Sequence, residues 1–326
     1  MSNETTTRPE IPATMRAVSQ DVHGDPEVLH LVEKEVPSPG LGQVLVKVRA
    51  AGMNPTDYKH RSGRRFLGDP PYVLGWDVSG VVVAVGIGVT LYRPGDEVFG
   101  MLPYAYGAGS HAEYAVGPAR AFAPKPSSLD HVHAAAVPLA ALTAWQALVD
   151  TADLTAGQKV LVHAAAGGVG HFAVQIAKAR GAYVVGTASA PKHDFVKSLG
   201  ADEVIDYREQ DFAEAVSGAD VVLDTVGADT APRSLEVLRP GGIVVSILPT
   251  GTDRLASEAR ERGVRGTEMV VEHDQAGMRA IGALADSGAL RPEIAGVFPL
   301  EKAADAHREG DTGRVQGKLV LSVSDR

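Results

Sequence analysis

The spacing of apolar positions changes about 130 residues into this chain. Before that point the apolar residues come in short runs: Arg16–Val18, Val44–Val48, Val78–Val85, Glu97–Phe99 and Ala112–Val116. Gly and Pro punctuate them, which predicts a β-rich unit with irregular connections. From His131 to Leu148 the chain turns alanine-rich and helical. Beyond it, strand-type and helix-type patterns alternate. Val160, Leu161 and Val162 lead into a glycine-rich turn. Val169, Phe172, Ala173, Ile176 and Ala177 follow at i, i+3, i+4, i+7 and i+8, the spacing of one helical face. Further strands are predicted at Ala182–Thr187, Glu203–Ile205, Asp220–Asp224, Ile243–Leu248 and Glu268–Val271. A helix pattern through Leu235 and Leu238 stops at Arg239-Pro240-Gly241-Gly242. This alternation predicts a doubly wound parallel sheet. The tail carries helical stretches at Gly277–Ala285 and Leu300–His307 and a last strand, Lys318–Ser322, expected to rejoin the first unit. The expected fold is α/β, with a β-rich domain of residues 1–136 and 273–326 and a parallel-sheet domain of residues 137–272.

Strand, tight turn and helix in Lys159–Gly181 form the geometry that sets a helix N-terminus against a pyrophosphate. Gly167 and Gly170 take the second and third glycine places of the dinucleotide fingerprint, and Ala165 replaces the first. The turn Ala165, Gly167, Gly168, Val169 and Gly170 is therefore the candidate pyrophosphate site. An NAD site places an acid at the end of the second strand to hold the ribose 2′-hydroxyl. Here the chain reads Thr187-Ala188-Ser189-Ala190-Pro191-Lys192-His193, with no carboxylate before Asp194. Ser189, Lys192, His193 and, after the third strand, Tyr207 offer donors and positive charge to a 2′-phosphate. The expected cofactor is NADPH. Ligands of such sheets lie beyond the strands' carboxyl ends, so Thr225, Val226, Ser246 and Leu248 are expected to face the nicotinamide.

Composition narrows the function classes. The chain has 326 residues, enough for two domains, and 44% of them are hydrophobic, as in ordinary globular proteins. A net charge of −9 argues against nucleic acid or an anionic membrane as main partner. The absence of cysteine removes disulfides, thiolate nucleophiles and cysteine zinc ligands. The opening segment MSNETTTRPE is polar, so a frayed tail rather than a secretory signal is expected, and no apolar run reaches membrane-spanning length. A cytoplasmic protein acting on a small molecule is the expectation.

Several motifs then follow in order. They are Ala51-Gly52-Met53-Asn54-Pro55-Thr56-Asp57, Gly75-Trp76-Asp77-Val78-Ser79-Gly80, Pro94-Gly95-Asp96-Glu97-Val98, Gly109-Ser110-His111-Ala112-Glu113-Tyr114 and Pro138-Leu139-Ala140-Ala141-Leu142-Thr143-Ala144-Trp145, ahead of the fingerprint and a closing Gly317-Lys318-Leu319-Val320-Leu321. In this order they resemble the zinc-independent medium-chain dehydrogenase/reductases of the quinone oxidoreductase branch, over nearly the whole chain. The resemblance implies a GroES-like β domain, a Rossmann domain inserted into it and a cleft between them. It also implies a homodimer that pairs the sheet edge at Glu268–Val271, and a place for Thr143 beside the nicotinamide. Zinc members carry a cysteine where this chain has Asn54 and a histidine–glutamate pair where it has Trp76-Asp77, so no metal is expected. His131 and His133 form an H-x-H pair, read as a solvated helix start.

Without metal, the nicotinamide must meet an electron-poor acceptor in a dry, shaped site, and a donor is wanted where oxygen gains charge. Asn54 is the first candidate donor, against a plain turn role for Asn before Pro. Tyr104 and Tyr106, in the Met101–Gly109 loop, are candidates for an aromatic slot or a phenolic proton. Three functions follow: an NADPH-dependent quinone reductase, an NADPH-dependent reductase of enones or 2-alkenals, and a non-catalytic NADPH-binding sensor or scaffold.

Overall fold

Glycine and proline turns, β-branched runs and helical faces resolve into three sheets, the two larger of which share one hydrophobic core. The computed structural model describes residues 11–63, 67–250 and 252–323. The frayed tail expected at residues 1–10 lies outside them. The chain opens with β1 (Thr14–Gln20), β2 (His30–Glu35) and β3 (Gln43–Met53), then helix α1 (Pro55–Arg61). Strands β4 (Tyr72–Val73), β5 (Asp77–Val85), β6 (Glu97–Met101), β7 (Tyr114–Pro118) and β8 (Phe122–Pro124) follow. Helices α2 (His131–Ala135) and α3 (Pro138–Trp145) carry the chain away from this unit. Next come β9 (Lys159–Val162), α4 (Gly170–Ala179), β10 (Tyr183–Ala188), β11 (Glu203–Asp206), β12 (Ala219–Asp224), β13 (Leu238–Ser246) and β14 (Arg265–Glu268). Helix Gln275–Asp286 leads back to β15 (Ile294–Pro299) and β16 (Lys318–Ser322).

Strands β11-β10-β9-β12-β13-β14 make a six-stranded parallel sheet whose order reverses between β9 and β12. That reversal opens a crevice at the strands' carboxyl ends. The mixed sheet runs β15-β16-β3-β5-β6-β8, with β7 on β3, and a smaller sheet runs β2-β1-β4. Antiparallel pairing of β16 with β3 sets Leu319 opposite Met53 and Leu321 opposite Ala51. The last strand therefore delivers Lys318 beside the end of β3, where the chain enters α1.

Three expectations need correction. The stretch Arg239-Pro240-Gly241-Gly242 does not stop a helix: the helical turns end at Val237, and Leu238 already belongs to β13. Turn-forming residues are tolerated there because they occupy the exposed start of the strand. The same strand ends at Ser246, not Leu248. The last parallel strand is Arg265–Glu268 rather than Glu268–Val271, and it is polar where an apolar edge was expected.

Five described histidines are buried, His60, His111, His163, His171 and His307, and burial favours the neutral form of each. Burial pushes His111 down to about 3 and both His163 and His171 down to about 4, and it drives His307 well below its ordinary value. Arg61 and His111 add repulsion at His307, and Arg233 opposes Asp224 at His163. His171 donates from Nδ1 to the Gly167 carbonyl at 2.9 Å and accepts the Glu293 N–H at its other nitrogen, so it pins the start of α4. Rings that stay neutral in the fold but charge when unfolded make stability fall as pH drops below about 6.5, by up to about 1.4 kcal/mol per unit for each ring. Asp57, raised to about 7 by burial, works in the opposite sense between its unfolded value and 7. With five rings against this carboxyl and Asp77, the urea midpoint is expected to fall steadily from pH 7 to pH 5. A midpoint unchanged over that range would show that these rings are not held neutral.

Candidate active site

A cleft of about 720 Å³ lies between the two larger sheets. One wall is the fingerprint turn. Ala164 adopts φ +47°, the left-handed conformation, and turns the chain from β9 toward α4. A Cβ on Gly170 would sit 2.2 Å from the Ala164 carbonyl oxygen, so only glycine lets the helix close on the strand. Gly167, Gly168, Val169 and Gly170 line the cleft, where the first turn of α4 presents N–H groups with no intrahelical acceptor. Ala165 does not line it: its methyl is fully buried under β10 and its N–H bonds the Thr187 carbonyl. The strained turn residue is Ala164, one position earlier than the sequence suggested.

The crevice end of the sheet supplies the opposite wall. Asp224 is buried and accepts the N–H groups of Val226 and Gly227 and the hydroxyl of Ser246. This carboxylate shapes the turn that puts Thr225 and Val226 into the cleft. Thr225 Oγ1 donates to the His163 carbonyl at 2.8 Å. Val226, Leu248 and Val270 make an apolar face. Ser246 is spent on Asp224 and lies below the surface, so it is not a cleft residue. Thr143 does line the cleft, but its hydroxyl donates to Leu139 O at 2.7 Å within its own helix.

Ser189, Lys192, His193 and Tyr207 stand apart from the cleft lining, at the ends of β10 and β11. Lys192 Nζ donates to the Arg314 carbonyl at 2.8 Å, and His193 donates to the Ala188 carbonyl at 3.1 Å. Tyr207 is half exposed under the Arg208 guanidinium. Asp206, at the end of β11, is the acid nearest this corner. Its oxygens accept the N–H groups of Ala190 and Arg208, so it acts as a backbone clamp. A cationic, donor-rich corner results, with Arg208 an addition the sequence reading lacked. The glycine cradle, the helix N-terminus and this corner fit a nicotinamide dinucleotide.

The floor holds a buried charge network. Lys318 Nζ donates to Met53 O at 2.6 Å and to Asn54 Oδ1, and lies 3.8 Å from Asp77 Oδ2. Asn54 Nδ2 donates to Asp77 Oδ2 at 2.9 Å, and Leu139 N donates to Asp77 Oδ1 at 2.7 Å. The Asn54 N–H bonds Asp57 Oδ2 at 2.7 Å. Burial pushes Lys318 down and Asp77 up, each against the attraction of the other. Asp77 collects two hydrogen-bond donors and an ammonium, which favour its carboxylate form against the burial that raises it. Asp57 has one oxygen without a partner, and burial raises it to about 7. Asn54 and Lys318 both line the cleft. The sequence reading singled out Asn54 and missed Lys318, although a lysine heading an apolar strand was the available signal.

Tyr104 lines the cleft, half-buried, with its hydroxyl 3.0 Å from Thr56 Oγ1. Tyr106 is 92% exposed and is not a cleft residue. The loop that carries both tyrosines turns only the first inward. His131 bonds Ser79 Oγ and Glu97, while His133 pairs with Asp130, the cap of its own helix. The H-x-H pair is thus structural.

Residues 40–127 match the family described as the alcohol dehydrogenase GroES-like domain, and residues 199–321 match that described as zinc-binding dehydrogenase. The chain is 36% identical over 333 residues to 2-methylene-furan-3-one reductase of Solanum lycopersicum, covering 98% of this chain and 81% of the relative. It is 36% identical over 324 residues to human quinone oxidoreductase, covering 94% and 97%. Escherichia coli quinone oxidoreductase complexed with NADPH superposes with a TM-score of 0.85 at 30% identity, covering 94% of this chain and 99% of that one. A zinc ion does not fit this floor. The Asn54 Oδ1 already accepts from Lys318, an indole occupies position 76, and Lys318 sets a cation beside Asp77. Among the described residues no group of three or more His, Asp or Glu side chains is arranged to hold a metal.

Removing one member of a buried ion pair strands the other. Lys318→Met is expected to lower stability by about 3–5 kcal/mol. Adding Asp77→Asn should return part of that loss, since the stranded carboxylate is then gone. Denaturant titration of the two single variants and the double variant reads the coupling. Strictly additive losses would mean that the two groups do not act as a pair.

Proposed function

The chain belongs to the medium-chain dehydrogenase/reductase family and is an oxidoreductase, and we propose that it reduces quinones with NADPH and without zinc. The observation that carries this reading is the floor, where Lys318 and Asn54 stand beside a glycine cradle in place of metal-ligating side chains. When bound, the nicotinamide would supply hydride to the acceptor. The residues Gly167, Gly168, Val169 and Gly170 would hold the pyrophosphate against the N-terminus of α4. Ser189, Lys192 and Tyr207, with Arg208, would receive the 2′-phosphate, since the Asp206 oxygens are already engaged by backbone N–H groups. Thr225, Val226 and Leu248 would pack the nicotinamide face, with Thr143 contributing its methyl side.

Asn54 would be the oxyanion donor. Lys318 holds Oδ1, which fixes the amide with Nδ2 as its donor end, and only one of the two Nδ2 hydrogens serves Asp77. A fixed donor that needs no reorganisation during reaction is what charge stabilisation requires. The apolar face of Val226, Leu248 and Val270 suits a flat ring. A second reading, reduction of enones, is favoured by the similarity to the tomato reductase and by a phenol, Tyr104, in the cleft wall.

An acceptor screen that follows NADPH absorbance tests both readings. Quinone turnover is expected with NADPH preferred over NADH, and with the rate unchanged after exhaustive chelation. Preference for NADH would remove the 2′-phosphate assignment, and loss of activity with chelation would remove the metal-free one.

A homodimer is also part of this reading. Strand β14 is the open edge of the parallel sheet, and an open edge left uncovered is a pairing hazard. Val270, beside it, is 46% exposed. Light scattering at micromolar concentration should give twice the chain mass of 34.0 kDa. A monomer would contradict it.

A further inference from the structure

One wall of the cleft carries a hydrogen-bonded line of three side chains. The Tyr104 hydroxyl lies 3.0 Å from Thr56 Oγ1, which lies 3.1 Å from His60 Nδ1. His60 Nδ1 is also 2.8 Å from the Thr56 carbonyl oxygen. A carbonyl only accepts, so Nδ1 carries a proton, an assignment made from its partners. The one Nδ1–H is then shared between the Thr56 carbonyl and Oγ1, and the Thr56 hydroxyl keeps its own proton to donate to the phenolic oxygen, the direction the proposal takes. The phenolic proton is thereby directed onward, and all three residues line the cleft. Trp76 packs its indole 5.2 Å from the His60 ring and 5.2 Å from the Tyr104 ring, which fixes both ends of the line. His60 itself is only 2% exposed.

We propose that Tyr104 is the catalytic proton donor when the acceptor is an enone, and that Thr56 and His60 are positioning residues that reload it. This rests on the reading of the cleft as a reductase of quinones or enones. Hydride addition at Cβ breaks the C=C π bond and leaves an enolate. Tyr104 O–H delivers its proton to Cα, and the saturated ketone forms. For reloading, the His60 ring first takes a solvent proton at its other nitrogen and becomes an imidazolium. The phenolate then takes the Thr56 hydroxyl proton, Thr56 takes the Nδ1 proton, and neutral imidazole is left, so one solvent proton is consumed per turnover. One hydride and one proton reach the substrate, so charge and atoms balance. A quinone needs the line less, because a hydroquinone oxygen exchanges protons with water directly.

Burial acts on both ends of the line. Burial raises Tyr104, and Asp57 adds to this, so the phenol stays protonated. Burial lowers His60, with His23 and Lys59 repelling its charged form and the Thr56 carbonyl favouring it. Trp76 also packs against its ring, and Tyr72 donates to the His60 carbonyl. The imidazolium fraction therefore shrinks as pH rises above a value below 6.5, and enone turnover should decline with it.

Steady-state rates with the full-length protein at saturating NADPH test this, with a quinone and an enone side by side. General acid catalysis contributes about 10²-fold or more, so Tyr104→Phe should lower enone kcat about 100-fold and quinone kcat under about tenfold. NADPH affinity, by fluorescence titration, should change less than about twofold on the same ground, since these groups act on the acceptor. Thr56→Val should lower enone kcat as Tyr104→Phe does and flatten its pH profile, whereas Thr56→Ser, which keeps the hydroxyl, should restore both. If Thr56→Val does not fold, Tyr104→Phe and Thr56→Ser decide. Enone kcat within about threefold of the parent in Tyr104→Phe overturns the relay alone, because general acid catalysis at full strength exceeds that range. A parent enzyme that reduces neither acceptor overturns the reductase reading and the relay together.

Discussion

The buried ammonium of Lys318 is the joint on which both halves of this molecule are hung. It bonds Met53 O and Asn54 Oδ1 at the end of β3 and pairs with Asp77 at the start of β5. Asp77 in turn caps the N–H of Leu139, near the start of the helix that carries the chain into the parallel sheet. The outward path and the returning strand are therefore tied at one carboxylate. Burying two charges is not in itself a source of stability, because desolvation offsets most of the attraction. What the pair does is fix a geometry: any other register of β16 would leave an ammonium or a carboxylate buried alone.

That geometry also decides the chemistry of the floor. Positions 54 and 76–77, which in zinc members of the family bear metal ligands, here surround a fixed organic cation. Lys318 supplies positive charge without an open coordination site, so it can orient a polar donor but cannot polarise an acceptor by direct ligation. The Asn54 amide is oriented between the two buried charges, and its place in the cleft follows from them. Around this polar floor the walls differ in character. The α4 turn presents backbone N–H groups, and Val226, Leu248 and Val270 present an apolar face.

Local patterns reported local structure well. The helical face from Val169 to Ala177 and the strand Lys318–Ser322 appear as expected, because side-chain periods of helix and strand are written in consecutive residues. Short or irregular elements were not legible. Strands β2, β4 and β8 carry too few alternations, and the start of β13 is disguised by a Pro-Gly-Gly run that lies exposed. The polar edge strand Arg265–Glu268 takes its identity from pairing with β13, not from its own residues.

The site divides along the same line. Residue types alone identified a dinucleotide turn, the lack of zinc ligands at positions 54 and 76, and a set of cationic donors after β10, since each follows from chemistry carried by neighbouring residues. Which groups meet was decided by the fold. Asn54 and Lys318 are 264 positions apart in sequence, and Tyr104 and Thr56 are 48 apart. Only tertiary structure turns Tyr104 inward and leaves Tyr106 in water, buries Ser246 against Asp224, and moves the turn from Ala165 to Ala164. The physical reason is range. Propensity and periodicity act within one element, whereas a buried hydrogen bond is set by which distant backbone the core brings within 3 Å, a typical hydrogen-bond distance of about 2.9–3.0 Å.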